Sequence, residues 1–134
     1  MKDTLVDSSV LIDILTNDVK WFARSSFALE EAMNSSAIVI NPIIFAEVSA
    51  SYKNFEELDR RLPIELYRRD DLPFEAAFLA ARAFIKYRRK GGSRTTPMPD
   101  FLIGAHAEVH NFCILTRDPR RFRRYFPSVE LITP

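Results

Sequence analysis

Thr4-Leu5-Val6-Asp7-Ser8-Ser9-Val10-Leu11-Ile12 decides the architecture of this chain. A short apolar run, Thr4-Leu5-Val6, reads as a strand over about 4–7, and an acid closes it. Val10, Leu11, Ile12, Ile14 and Leu15 then recur as a helix should, with Ser8 and Ser9 expected to cap it. The chain therefore passes from a buried strand into a helix, with a carboxylate at the junction.

The alternation continues outward from there. A helix is expected near 20–34, and Ala37-Ile38-Val39-Ile40 reads as a strand buried on both faces. Asn41-Pro42 opens a helix carrying Glu47. Asn54, with Glu57 three residues on, caps a short helix to about residue 62. Ile64-Glu65-Leu66-Tyr67 alternates as a strand, and a long helix over about 73–90 stops at Gly91-Gly92. A mobile loop is expected from Gly91 to Pro97. A helix near 99–110, a strand at 113–117, a basic helix at 119–126 and a strand near 129–132 complete the chain. Strands alternating with helices predict an α/β fold with a mostly parallel sheet and helices on both faces. Such sheets place their functional crevice at the carboxyl ends of the strands, where strand order switches.

The 134 residues contain no repeat or linker and are expected to form a single domain, 1–134. With 47% apolar and 28% charged residues, the composition is that of a globular protein. No apolar run reaches the ~20 residues that span a bilayer, and acids interrupt the first residues too early for a signal peptide. One cysteine, Cys113, rules out an internal disulfide. The expected location is cytoplasmic, away from membranes.

The net charge of +1 conceals an asymmetry. Residues 1–66 hold 6 Lys/Arg against 11 Asp/Glu, whereas residues 67–134 hold 13 against 7. The cations gather between Arg82 and Arg94 and between Arg117 and Arg124, as phosphate-facing surfaces do.

Four acids stand where elements begin or end: Asp7, Glu47, Asp100 and Asp118. Each has a plain explanation. Asp118 before Pro119 reads as an N-cap, Asp100 as a complement to a helix dipole, Glu47 as a helical glutamate. Apolar neighbours of Glu47 (Ile43, Ile44, Phe45, Ala46, Val48) predict a largely buried segment, where a carboxylate needs a partner. As a set at one sheet edge, the four would form an oxygen-rich pocket suited to Mg²⁺ or Mn²⁺. That step assumes that the first and fourth strands are neighbours. Asp13 lies over a turn from Asp7 and reads as a structural or salt-bridged acid.

Other chemistries fit less well. His106 and His110 have the i, i+4 spacing of a zinc site, but Ala107 stands where a metalloprotease has its glutamate, so packing is expected of both. Ser9 replaces the second aspartate of phosphatases of the haloacid dehalogenase type. Three glycines (Gly91, Gly92, Gly104) provide no phosphate-cradling loop.

Four segments in order resemble a PIN-domain ribonuclease, specifically a VapC-type toxin. They are Val6-Asp7-Ser8-Ser9-Val10-Leu11-Ile12-Asp13, Asn41-Pro42-Ile43-Ile44-Phe45-Ala46-Glu47, Pro99-Asp100-Phe101-Leu102-Ile103-Gly104-Ala105-His106-Ala107 and Leu115-Thr116-Arg117-Asp118-Pro119-Arg120-Arg121-Phe122. The resemblance implies a PIN-like three-layer α/β/α fold with strand order 3-2-1-4-5, which supplies the assumed adjacency. It implies Mg²⁺- or Mn²⁺-dependent endoribonuclease activity with Asp7, Glu47, Asp100 and Asp118 as catalytic metal ligands and Ser9 and Thr116 in support. An antitoxin protein and a second copy of the chain are the implied partners. Arg94, Arg117, Arg120 and Arg121 are the expected contacts to the RNA backbone. The rival reading is a non-catalytic nucleic-acid- or protein-binding module on the same scaffold.

Overall fold

The computed structural model describes residues 2–91 and 98–134. Strand β1 (Thr4–Val6) leads into α1 (Ser8–Leu15) and α2 (Phe22–Ser35), then β2 (Ile38–Ile40), α3 (Pro42–Ser49) and α4 (Phe55–Arg61). Strand β3 (Tyr67–Arg69), α5 (Phe74–Arg89), α6 (Met98–His110), β4 (Cys113–Leu115), α7 (Arg120–Tyr125) and β5 (Leu131–Ile132) follow. The strands form one parallel sheet in the order β3-β2-β1-β4-β5, the order that the resemblance implies.

From β1 the chain builds outward through β2 to β3, then returns to β1's other side for β4 and β5. The β1–β4 seam is therefore the switch point at which a parallel sheet opens a crevice. Its register pairs Thr4 with Cys113, Leu5 with Ile114 and Val6 with Leu115. Asp7 and Thr116 thus leave the sheet side by side, and the Asp7 N–H still donates to the Leu115 carbonyl at 2.8 Å.

All nine residues of β1, β2 and β4 are buried, so apolar contact on both faces compensates for very short hydrogen-bonded ladders. Helix α6 carries the largest contribution from outside the sheet. Phe101 is fully buried and meets Phe84, Tyr87, Tyr125 and Phe126 with ring centroids 5.4–6.4 Å apart, tying α6 to α5 and α7. Gly104 lets Phe126 lie against the α6 backbone; a Cβ there would overlap the ring.

Three local expectations are corrected. The third strand is Tyr67–Arg69 rather than 64–67; Ile64 and Leu66 are exposed in a turn after Pro63, so the alternation was not a buried face. Asp7, not a serine, occupies the N-cap of α1, and neither serine caps it. Asp118 does not cap α7, whose N-cap residue is Pro119 with helical backbone angles. Elsewhere the caps match: the Asn41 side chain accepts from Ile44 N–H and that of Asn54 from Glu57 N–H, both at 2.9 Å. Gly91 ends α5 at φ 85°, a conformation glycine adopts without strain. The rest of the loop expected at 91–97, including Arg94, lies outside the described residues.

Candidate functional site

Asp7 is delivered by the end of β1, Glu47 by the second turn of α3, Asp100 by the first turn of α6 and Asp118 by the loop after β4. Hydroxyls hold the first of these. Thr116 Oγ1 donates to Asp7 Oδ2 at 2.7 Å, and Ser9 Oγ to the same oxygen at 3.0 Å. Thr116 Oγ1 in turn accepts from Asp118 N–H at 3.0 Å, and Ser9 Oγ from Arg117 N–H at 3.2 Å. The serine and threonine therefore lock the loop after β4 onto the turn after β1. Ser8, one residue from Asp7, donates to Glu47 Oε1 at 2.8 Å and brings α3 to the same place. Its hydroxyl serves the acid opposite rather than the helix that it begins.

The four acids feel one another. Burial raises the Asp7 pKa, against the hydroxyl bonds from Thr116 and Ser9, and the Asp118 charge raises it further. Glu47 is raised by burial and by the charges of Asp7 and Asp100, against its bond from Ser8. Asp100 is raised by burial and then by Asp7. Three carboxyls with elevated proton affinity, two of them held only by hydroxyls, form a site that gains from positive charge. One cation already stands there: Arg121 Nη1 pairs with Asp100 Oδ2 and lowers that group's pKa in part. Among the described residues, no three of these acids bring carboxylate oxygens within 4.8 Å of one another. They share an electrostatic basin and are not in mutual ligand contact. Hard oxygen donors of this kind suit Mg²⁺ or Mn²⁺ better than a thiol- or imidazole-preferring ion.

Glu47 is half-buried because α3 buries only Ile44 and Val48 fully and leaves Ala46 exposed, a less enclosed helix than its composition predicts. The arginines separate. Arg120 is open to solvent, its Nε 3.8 Å from Asp118 Oδ1. Arg117 instead pairs with the buried Asp13 at 2.9 Å and lies over Trp21, while Ser25 donates to the same Asp13 oxygen at 2.8 Å. Asp13 is thus a salt-bridged acid, and Arg117 is committed to holding it.

A second ionisable cluster lies apart in sequence: Asp70, after β3, with His106 and His110 from α6. One potential ligand atom from each lies within 4.8 Å of the others. The neighbouring bonds decide its character. Asn41 Oδ1 is used by Ile44 N–H, so Asn41 Nδ2 donates to His106 Nδ1 at 2.9 Å. A neutral imidazole that accepts at Nδ1 carries its proton on Nε2, the atom a cation would otherwise take. Burial, then the His110 charge, lowers the His106 pKa to about 4, so the ring is neutral at pH 7. Arg68 meanwhile grips both Asp70 oxygens, at 3.0 and 3.1 Å. Asp70 and His106 Nδ1 are thus already partnered, while the buried His106 Nε2 has no hydrogen-bond partner among the described residues. The His106, His110 and Phe112 rings pack edge to face, in keeping with a packing role for the histidines.

Comparison with known proteins agrees with this geometry. The family profile described as PIN domain matches residues 4–126. No curated protein sequence matches the chain significantly. Among solved structures, the chain is similar to VapBC2 from Rickettsia felis bound to a DNA fragment from their promoter (19% identity, TM-score 0.74, 98% of each chain covered). It is similar also to a toxin-antitoxin complex from Klebsiella pneumoniae (21%, 0.68, 90% of each chain). A third likeness is to VapBC-1 from nontypeable Haemophilus influenzae (17%, 0.73, 97% of this chain and 96% of that one). At these identities the likeness is one of fold.

Proposed function

The chain belongs to the PIN domain family, and from that premise we propose that it is a metal-dependent endoribonuclease, the toxin of a toxin–antitoxin pair. The observation that carries this reading is the shared basin of Asp7, Glu47, Asp100 and Asp118 at the sheet's switch point, with three carboxyls raised by burial and mutual charge. A divalent ion bound there would offset that charge, acidify an attacking water and steady the charge on the scissile phosphate. Asp7, Glu47, Asp100 and Asp118 would hold it.

The remaining work falls to the chain's own side chains. Thr116 and Ser9 fix the Asp7 carboxylate, both of their donors engaging Oδ2. Ser8 does the same for Glu47 through Oε1 alone. Arg120 and Arg121 draw the RNA backbone toward the basin by charge attraction. A protein partner is supported by Phe74, Phe78 and Ile85, which α5 leaves exposed at 94, 63 and 40%. The similar toxin–antitoxin structures support an antitoxin as that partner.

Incubation of the purified chain with total RNA and Mn²⁺ or Mg²⁺ tests the reading, with EDTA and a single-stranded DNA of the same sequence as controls. Cleavage of RNA that EDTA abolishes is expected. RNA binding that survives EDTA, with no cut ends in either condition, would instead make the chain a binding module.

A further inference from the structure

We propose that the cleft between α5 and α7 is a nucleotide subsite, in which one base of the RNA strand stacks beside Tyr125 while arginines hold the adjoining phosphate. The inference rests on the nuclease reading and extends it to how the strand is seated. The cleft has a volume of about 270 Å³ and is lined by Tyr87, Asp118, Arg120, Arg121, Arg124 and Tyr125. Ligand pockets begin near ~300 Å³, so the cleft suits a single base with its phosphate rather than a duplex.

Its chemistry is that of a single-strand seat. Three guanidiniums face one carboxylate, giving a positive hollow directly beside the negative basin. The shared residue is Asp118, so a strand whose scissile phosphate lies over the acids must place a neighbouring nucleotide here. The aromatic part is already used for cations: Arg124 lies over Tyr125 at 5.6 Å, and Arg121 over Tyr87 at 5.7 Å. Guanidinium planes and aromatic rings both accept an unpaired base in stacking, and the stack forms with any base because each has a π-face. Tyr87 and Tyr125 brace each other edge to face at 5.9 Å, and both rest on the buried Phe101. The platform is therefore held by the core rather than by the strand that it receives. No purely polar surface needs that bracing. An acidic peptide would use the arginines but would leave the ring stack without a role, which is why a nucleotide is the better fit.

The test uses the full chain carrying Asp7→Asn, so that the strand stays intact, and a fluorescein-labelled single-stranded RNA dodecamer read by anisotropy. The same RNA is prepared with one abasic ribose at each position in turn. Tyr125→Leu keeps the apolar bulk and removes the ring; Arg124→Gln, at an exposed position, guards against a folding artefact. At one position, loss of the base is expected to weaken binding roughly 5- to 100-fold with Tyr125 present and to have no effect in Tyr125→Leu. Arg124→Gln is expected to weaken all strands alike and to lower the salt slope by about 0.7. An abasic profile that Tyr125→Leu leaves unchanged overturns the subsite, even if the wild-type chain cuts RNA in a parallel reaction. Tighter binding of an acidic peptide than of RNA, lost with Arg124→Gln, also overturns it. A strand neither bound nor cut by the wild-type chain sinks the nuclease reading, and the subsite falls with it.

Discussion

Two groups of ionisable side chains flank this sheet, and they differ in what their neighbours have already given them. Asp70, His106 and His110 are closer together than the four acids, yet each of the first two is spoken for: Arg68 by two bonds on Asp70, Asn41 on His106 Nδ1. Asp7 and Glu47 are held by neutral hydroxyls, which orient a carboxylate without cancelling its charge, while Asp100 is paired with Arg121. Proximity alone would select the histidine cluster. The useful criterion is the charge that remains after the protein's own partners are counted.

That contrast is most exposed to Asp7→Asn. The amide keeps an acceptor for Thr116 and Ser9 but removes a ligand charge, so cleavage should fall by more than about 100-fold, beyond what loss of a supporting residue does. The same variant should melt no lower than wild type in EDTA, because a buried charge has been removed. Unchanged cleavage would take Asp7 out of the site.

Thr116→Val is the next largest. It preserves shape and deletes the donor to Asp7, so metal affinity or cleavage should drop roughly 10- to 100-fold. Measured Mn²⁺ affinity equal to wild type would mean that the hydroxyl only packs.

Asn41→Ala strikes both clusters at once, removing the α3 cap and the His106 partner. A loss of about 1–3 kcal/mol in urea unfolding is expected. Cleavage per folded molecule should survive far better than in Asp7→Asn.

Acidity gives a smaller and signed effect. Because burial raises the Asp7, Glu47 and Asp100 pKa values above 3.8, 4.5 and 3.8, the folded protein binds these protons more tightly than the unfolded chain. Their contribution in EDTA is therefore most favourable below the unfolded values and is lost as pH rises through the folded ones. The wild-type minus Asp7→Asn difference in unfolding free energy, followed from about pH 4 to pH 7, isolates the Asp7 part; it should become steadily less favourable to wild type. A flat difference would show that Asp7 is not raised. His110→Ala should change least, leaving both cleavage and zinc uptake at wild-type levels. A zinc equivalent that disappears with this substitution would break the comparison outright.

The parts of this fold that could be read from sequence are those written in contiguous residues. Leu5, Val39 and Ile114 lie in unbroken apolar runs, and their three strands fell where expected to within a residue or two. The acids at element ends could be noticed because a carboxylate closing a buried strand is costly. Ile64 and Leu66 misled because an alternating apolar pattern in an exposed turn looks like a strand edge. Ser8 to Glu47, Arg121 to Asp100 and Asn41 to His106 join residues 39, 21 and 65 apart, and no spacing rule reports such pairings. The pairing of Arg117 with the buried Asp13 was not legible for the same reason: the two lie far apart along the chain.

Arg121 belongs to two accounts, since the guanidinium that balances Asp100 also walls the tyrosine cleft. Any phosphate that draws it away leaves the carboxylate uncompensated. Occupancy of one compartment must then favour occupancy of the other, and by thermodynamic reciprocity the factor is the same in both directions.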